Sequence, residues 1–164
     1  LEKIYDAPIY LATVGLAVYF CGALTGVVVG GELADRLRRH ALIATCGLAL
    51  AATFMTCIAA FDLPMPAIIA LLGMTGFCAA GTNPSRDILV RGATPPGATG
   101  KVFGFVYSGL DLGGALGPLL FGWLMDGGQY RSVFVAVVAM YLLGIVTVLQ
   151  LSRGRRATIP AAAD

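Results

Sequence analysis

The sequence has 164 residues, of which 58% are hydrophobic and 12% charged, with a formal net charge of +2 and a mean hydropathy of +0.85. Soluble domains carry about 25% charged residues, and a water-soluble fold of this size would lack the polar surface to cover itself. So small a basic excess is no sign of nucleic-acid binding; where the charges fall carries the information.

In chain order, the first uncharged run is Ala7–Gly31, preceded by Glu2 and Asp6. Its length and acidic flank differ from a cleaved leader. The stretch "GGELADRLRRH" follows, with Glu32, Asp35, Arg36, Arg38 and Arg39 gathered in one short turn. A second run, Ala41–Phe61, leads through Asp62–Leu63–Pro64 into a third, Leu63–Ser85. That turn is tight enough to make the second and third segments antiparallel neighbours. Asn83, Pro84, Ser85, Arg86 and Asp87 close the third run. The fourth, Val102–Met125, contains one charge, Asp111, and the fifth is Ser132–Ser152.

Each run has 21 residues or more, and about 20 suffice to cross roughly 30 Å of hydrocarbon as a helix. Backbone groups in hydrocarbon must find partners within the protein, so such runs become helices. Alternating barrel strands would show a period of two over about 10 residues. The expected fold is all-α: a polytopic helical membrane protein with transmembrane spans at about 7–31, 41–61, 63–85, 102–125 and 132–152. The odd number of spans and the start at Leu1 are expected of a piece of a longer protein.

Alternate assignment of the loops places Arg36, Arg38, Arg39, Arg86, Arg91, Lys101, Arg153, Arg155 and Arg156 on one side, and Lys3 and Arg131 on the other. Basic residues concentrate on the cytoplasmic side. The N-terminus is therefore expected outside and the C-terminus, with a tail at 153–164, in the cytoplasm. Tyr5, Tyr10, Trp123 and Tyr130 are expected at the outer interface, where aromatic rings anchor helices. Phe103, Phe105 and Tyr107 read as lipid-facing or packing aromatics.

Glycines cluster in the first and fourth spans. Small residues at every fourth position let helix backbones approach in lipid. Gly22, Gly26 and Gly30 form one such ridge, and Gly109, Gly113 and Gly117 another. These ridges place spans one and four at a helix–helix interface and leave spans two and five toward lipid. Cys21, Cys46, Cys57 and Cys78 lie inside spans without a CxxC spacing and read as small packing residues.

The stretch "GELADRLRRH" resembles the G-x-L-a-D-r-x-G-r-k signature of the major facilitator superfamily. Gly31, Leu33, Asp35, Arg36 and Arg39 fall on its positions, and Arg38 departs from it, standing where the family has a second glycine. "GGALGPLLFG", Gly113 to Gly122, resembles the family's glycine–proline helix motif. The resemblance implies that residues 1–152 are helices eight to twelve of a twelve-helix carrier, an incomplete C-terminal bundle whose N-terminal half is its missing partner. "PSRDILVRGATPPGATGKVFGFVYSGLDLG" resembles multidrug and antibiotic-efflux branches more loosely.

A carrier of this kind works by rocking one helix bundle against another around a midplane site. Asp35 is expected in a gate at the signature loop, with Arg36 and Arg39 as local partners and its main partner on a helix of the missing half. Arg86 and Asp87 are candidates for an inner gate. Asp111 falls about 15 Å along its helix from Lys101, near mid-bilayer, where an ionisable group faces a cavity or a partner. It is either a proton or substrate contact or a structural carboxyl bonded by Tyr107, Ser108 or a helix outside this chain. Gly114 and Pro118 share its side of the helix, where a kink could act as a hinge.

The expected function is secondary active transport of a small solute in the bacterial inner membrane, with proton-coupled efflux preferred. The alternative is a truncated or non-transporting membrane subunit. One histidine, no H-E-x-x-H and no intramembrane carboxylate pair argue against an enzyme. No cofactor or metal is expected, and no G-x-x-x-x-G-K-[ST] loop supports ATP coupling. The expected partners are the lipid bilayer, a small-molecule substrate and the missing half.

Overall fold

The computed structural model describes residues 9–37, 39–128 and 130–157. Lys3, Tyr5, Arg38 and the tail from residue 158 lie outside the described residues. Six helices form: α1 (Ile9–Arg36), α2 (His40–Ala60), α3 (Met65–Gly81), α4 (Asn83–Ala93), α5 (Thr99–Asp126) and α6 (Tyr130–Ala157). Among the described residues, five stretches are long and apolar enough to cross a membrane: Tyr10–Arg36, His40–Ala60, Met65–Ala93, Thr99–Asp126 and Arg131–Ser152. The fold is all-helical, as expected, because each uncharged run can satisfy its backbone only within itself.

Two span limits differ from the expectation. The first span does not stop before its charges: α1 continues through Glu32 to Arg36, and only Leu37–Arg39 separates it from α2. The Leu37 amide still donates to the Leu33 carbonyl at 2.9 Å. The third span runs past Ser85 to Ala93 as α3 followed by α4. Pro84 has no amide to donate, yet Thr82 keeps helical angles (φ −80°, ψ −20°) and accepts from the Arg86 amide at 3.0 Å. The Thr82 hydroxyl donates to the Ala79 carbonyl at 2.7 Å. The break is thus bridged on both sides, and the helix resumes with a charged face.

Packing corrects the expected arrangement of spans. The ridge of Gly22, Gly26 and Gly30 meets α3, not the fourth span. A methyl group on each would strike the main-chain carbonyl oxygen of Gly73, Phe77 and Gly81 respectively. The order of these pairs makes α1 and α3 parallel. Gly76 returns the contact against the Tyr19 carbonyl, and a Cβ on Gly81 would come within 3.0 Å of the Gly26 carbonyl. Both helices therefore contribute glycine, and the backbones touch along the whole seam.

The second span is the centre of the bundle, not a lipid-facing helix. Ala44, Leu48, Ala51, Ala52, Met55 and Ile58 of α2 are buried, and α2 packs against α3, α4 and α6. Its alanines permit what glycine permits in α1. A Cβ at Gly47 would lie 2.5 Å from the Thr82 methyl and 3.1 Å from the Cys78 carbonyl. Toward one end Ala44 and Leu48 join Leu89 and Val148; toward the other Met55 and Ile58 join Ile68, with Phe134 and Val138 of α6 against them. The turn at Asp62–Pro64 makes α2 and α3 packed neighbours, as its length required.

The fourth span is the outlier. No described residue of α5 is buried, and its main contact is a light one with α6. A Cβ on Gly109 or Gly113 would meet nothing within 4 Å, and one on Gly117 only Phe121 of the same helix. Pro118 sits inside an unbroken helix.

Gly26→Ala forces its methyl into the Phe77 backbone, and we expect a loss of about 1–3 kcal/mol from overpacking. Gly31→Ala has open space and gains helix propensity, so a change between zero and about 1 kcal/mol more stable is expected. Thermal unfolding of the two variants in the same detergent checks the ordering.

Candidate functional site

The charged end of the bundle is assembled by helix ends. α1 stops at Arg36, α2 starts at His40, α4 stops at Ala93 and α5 starts at Thr99, after a turn with Gly97 at φ +81°. Arg36 stands in the last turn of α1, where a cation suits the negative end of the helix dipole.

The local pairing differs from the expected one. Arg36 Nε donates to Glu32 Oε1 at 2.7 Å, one helical turn back, and both side chains are largely exposed. Asp35 points to the outside, and among the described residues it has no ion-pair or hydrogen-bond partner. Arg39 is exposed and stands at the N-cap of α2, where no side chain caps the free amides. Spacing explains the correction: Glu32 and Arg36 lie four apart on one helical face and meet, while Asp35 and Arg36 are adjacent and diverge. Of the remaining signature positions, Leu33 is exposed and Gly31 is open around its Cα.

Arg86 and Asp87 are exposed on α4, whose buried face is Ser85 and Leu89. Neither forms an ion pair among the described residues. The glycine register of α1 on α3 continues one turn further, setting Ala34 opposite Ser85. Both are buried, at 2% and 0% exposure. Among the described residues the Ser85 hydroxyl is left without a hydrogen-bond partner, as is Nδ1 of His40 at the start of α2. Tyr19 of α1 and Tyr141 of α6 bring their phenol oxygens together inside the bundle. Sequence spacing gave no sign of these polar atoms. A serine after a proline reads as a helix end until the neighbouring helix is known to cover it.

Asp111 lies near the middle of α5 and is exposed. Neither local partner proposed for its carboxyl bonds it among the described residues. Ser108 donates to the Gly104 carbonyl at 2.8 Å, and Tyr107 lies against Phe103, with ring centroids 6.1 Å apart. Gly113 and Gly114 follow Asp111 and Pro118 lies two turns on, all on a helix without a buried residue among those described. Among the described residues no cluster of His, Cys, Asp or Glu could hold a metal ion.

A family model described as Major Facilitator Superfamily matches residues 4–164. The chain belongs to the major facilitator superfamily. The multidrug efflux pump Tap of Mycolicibacterium fortuitum is 30% identical over 128 residues, 77% of this chain and 30% of that protein. A probable actinorhodin transporter of Streptomyces coelicolor is 30% identical over 153 residues, 90% of this chain and 26% of that protein. The multidrug resistance protein MdtH of Photorhabdus laumondii is 38% identical over 69 residues, 42% of this chain and 17% of that protein. The chain thus spans under a third of the length of these curated relatives. No solved structure matches it. This facilitator chain is accordingly an integral membrane segment; the signature-like stretch runs from the end of α1 to the start of α2, and the glycine–proline stretch lies on α5.

The partnerless Ser85 hydroxyl carries a desolvation cost of about 1–3 kcal/mol. Ser85→Ala in this facilitator chain is expected to leave the melting temperature unchanged or raise it, whereas Ser85→Val, which adds bulk beside Ala34, lowers it. Melting curves of the two variants decide the matter.

Proposed function

We propose that this facilitator chain is the C-terminal transmembrane part, helices eight to twelve, of a carrier that exports small amphipathic compounds by proton-coupled alternating access. Residues 1–152 form the partial bundle and 153–164 a tail. The bundle sits in the bacterial inner membrane with the Arg36 end in the cytoplasm. The likeness to a multidrug efflux pump and to a probable actinorhodin transporter supports the solute class and the direction. The distribution of basic residues supports the orientation.

The observation that carries the reading is Asp111. A carboxyl at mid-span, on a helix with no buried residue and with the Ser108 hydroxyl committed to Gly104, has no bonded partner among the described residues. Ionisable groups at that depth line pathways or pair across them, and α5 leaves Asp111, on the face it shares with Gly114 and Pro118, open to whatever the rest of the carrier supplies. Proton binding at Asp111 would discharge it, and rocking of the bundle would carry it between the two faces.

Asp35, exposed at the end of α1 and unpaired among the described residues, is the gate residue. It is free to bond a helix of the other half when the cytoplasmic side closes. Glu32–Arg36 holds the end of α1 in shape, and Arg39, Arg86 and Asp87 line the same rim. Gly114 and Pro118 supply the bending point of α5.

The test uses full-length carrier in inverted vesicles with an imposed pH gradient, to which candidate amphipathic compounds are added. With Asp111→Asn, compound-dependent proton flux is expected to fall to the level of vesicles without carrier, at unchanged protein content. Unaltered flux would remove Asp111 from the path. In the same vesicles Asp35→Asn is expected to slow flux about tenfold, equivalent to about 1.4 kcal/mol. Glu32→Gln stays within about twofold, since an exposed pair contributes only about 0–1 kcal/mol.

A further inference from the structure

At the end of the bundle opposite the signature, α2 and α6 leave a groove of about 400 Å³ between them. Its α2 wall is Ala49, Ala52, Thr53, Thr56 and Cys57, closed at the end by Phe61, and its α6 wall is Val138, Leu142 and Ile145. The two threonines add no polarity. Thr53 donates to the Ala49 carbonyl at 2.8 Å and Thr56 to the Ala52 carbonyl at 2.7 Å. Their hydroxyls are spent within the helix, and an occupant meets a surface without hydrogen-bonding demands.

The dimensions fit one leaflet. Ala49 stands near the middle of α2 and Ala60 at its end, a rise of about 16 Å, against about 15 Å for half of the hydrocarbon core. A slot of about 400 Å³ and that length suits a single alkyl chain. Next in the chain to Phe61, at the groove's closed end, Asp62 in the α2–α3 turn accepts from Arg131 at the start of α6. Both remain exposed, Arg131 at 52% and Asp62 at 80% of their side-chain surface. An adjacent cation and anion with exposed outer faces, at the helix ends where an apolar slot closes, complement a molecule with a phosphate, an ammonium and an acyl chain.

We propose that this groove is a binding site for a zwitterionic phospholipid carrying a primary ammonium. One acyl chain lies along Ala49–Cys57 and Val138–Ile145, the phosphate meets Arg131, and the ammonium donates to Asp62. The site lies on α2 and α6, away from Asp111 and Asp35, and does not depend on the transport reading.

The test is photo-crosslinking in full-length carrier reconstituted in vesicles. The probe is a phosphatidylethanolamine with a diazirine at the middle of one acyl chain, and the adducts are mapped by peptide mass spectrometry. Most of the adduct is expected on residues 49–61 and 138–145. Unlabelled phosphatidylethanolamine is expected to compete several-fold better than phosphatidylcholine, which has no N–H, or phosphatidylglycerol, which has no ammonium. Asp62→Asn, an exposed and conservative change, is expected to erase that headgroup preference while the adduct stays in the groove. Adduct spread evenly over the lipid-facing spans would overturn the site, as would a groove protected by another helix or a second copy. A headgroup preference that is absent from wild type or survives Asp62→Asn would overturn the assigned headgroup contacts. No outcome depends on transport, so failure here and failure of the transport reading are separately visible.

Discussion

Along the seam where Gly22, Gly26 and Gly30 of α1 lie on Gly73, Phe77 and Gly81 of α3, two backbones touch with no side chain between them. In hydrocarbon, moving an apolar side chain from lipid to a helix interface gains little, because both surroundings are equally apolar. What remains is van der Waals contact, and it grows as the axes come closer. Glycine on both helices is the means of bringing them closest. The rest of the bundle is arranged around that seam. α2 crosses the α3–α4 break with Gly47 on Thr82, α6 closes against α2, and the charged ends of α1 and α4 are brought to one face.

The fold class was legible in the sequence because the constraint behind it is blunt: five long runs with almost no charge have only one way to satisfy their backbones. The turn at Asp62–Pro64 was legible for the same reason, since so few residues leave no choice of neighbour. The pairing of spans was less accessible. Glycine frequency marks a helix as able to approach another but does not name the other. The three glycines of α3 were fewer and irregularly spaced, yet they face the regular ridge of α1, while the equally regular ridge of α5 meets no other helix among the described residues. Alanine in α2 carried the same information as glycine, and counting glycine alone passed over it.

At the charged end the sequence showed which residues gather but not which of them meet. Glu32 took Arg36 because the helix continued through the charges, and that continuation is set by α1 lying on α3 rather than by any local signal. Asp35 was thereby left open. The buried Ser85 and the meeting of Tyr19 with Tyr141 depend on three helices at once, and no single stretch of sequence contains them. Asp111, by contrast, was conspicuous from composition alone, and its surroundings here sharpen the question: the Ser108 hydroxyl is spent on its own helix and the Tyr107 ring lies against Phe103.

The parallel seam also has a mechanical side. α1 is 28 residues long, about 42 Å, and it is joined to α3 along most of that length. α3 passes into α4 through a break that is hydrogen-bonded on both sides. The pair therefore behaves as a beam, not as two rods sliding past each other. A tilt of about 10° about its Asp62 end would sweep the other end through about 7 Å, carrying Asp35 and the Arg86–Asp87 face as one load. Two charged sites far apart in sequence would then move in phase with no contact between them, because stiffness does the work of a linkage.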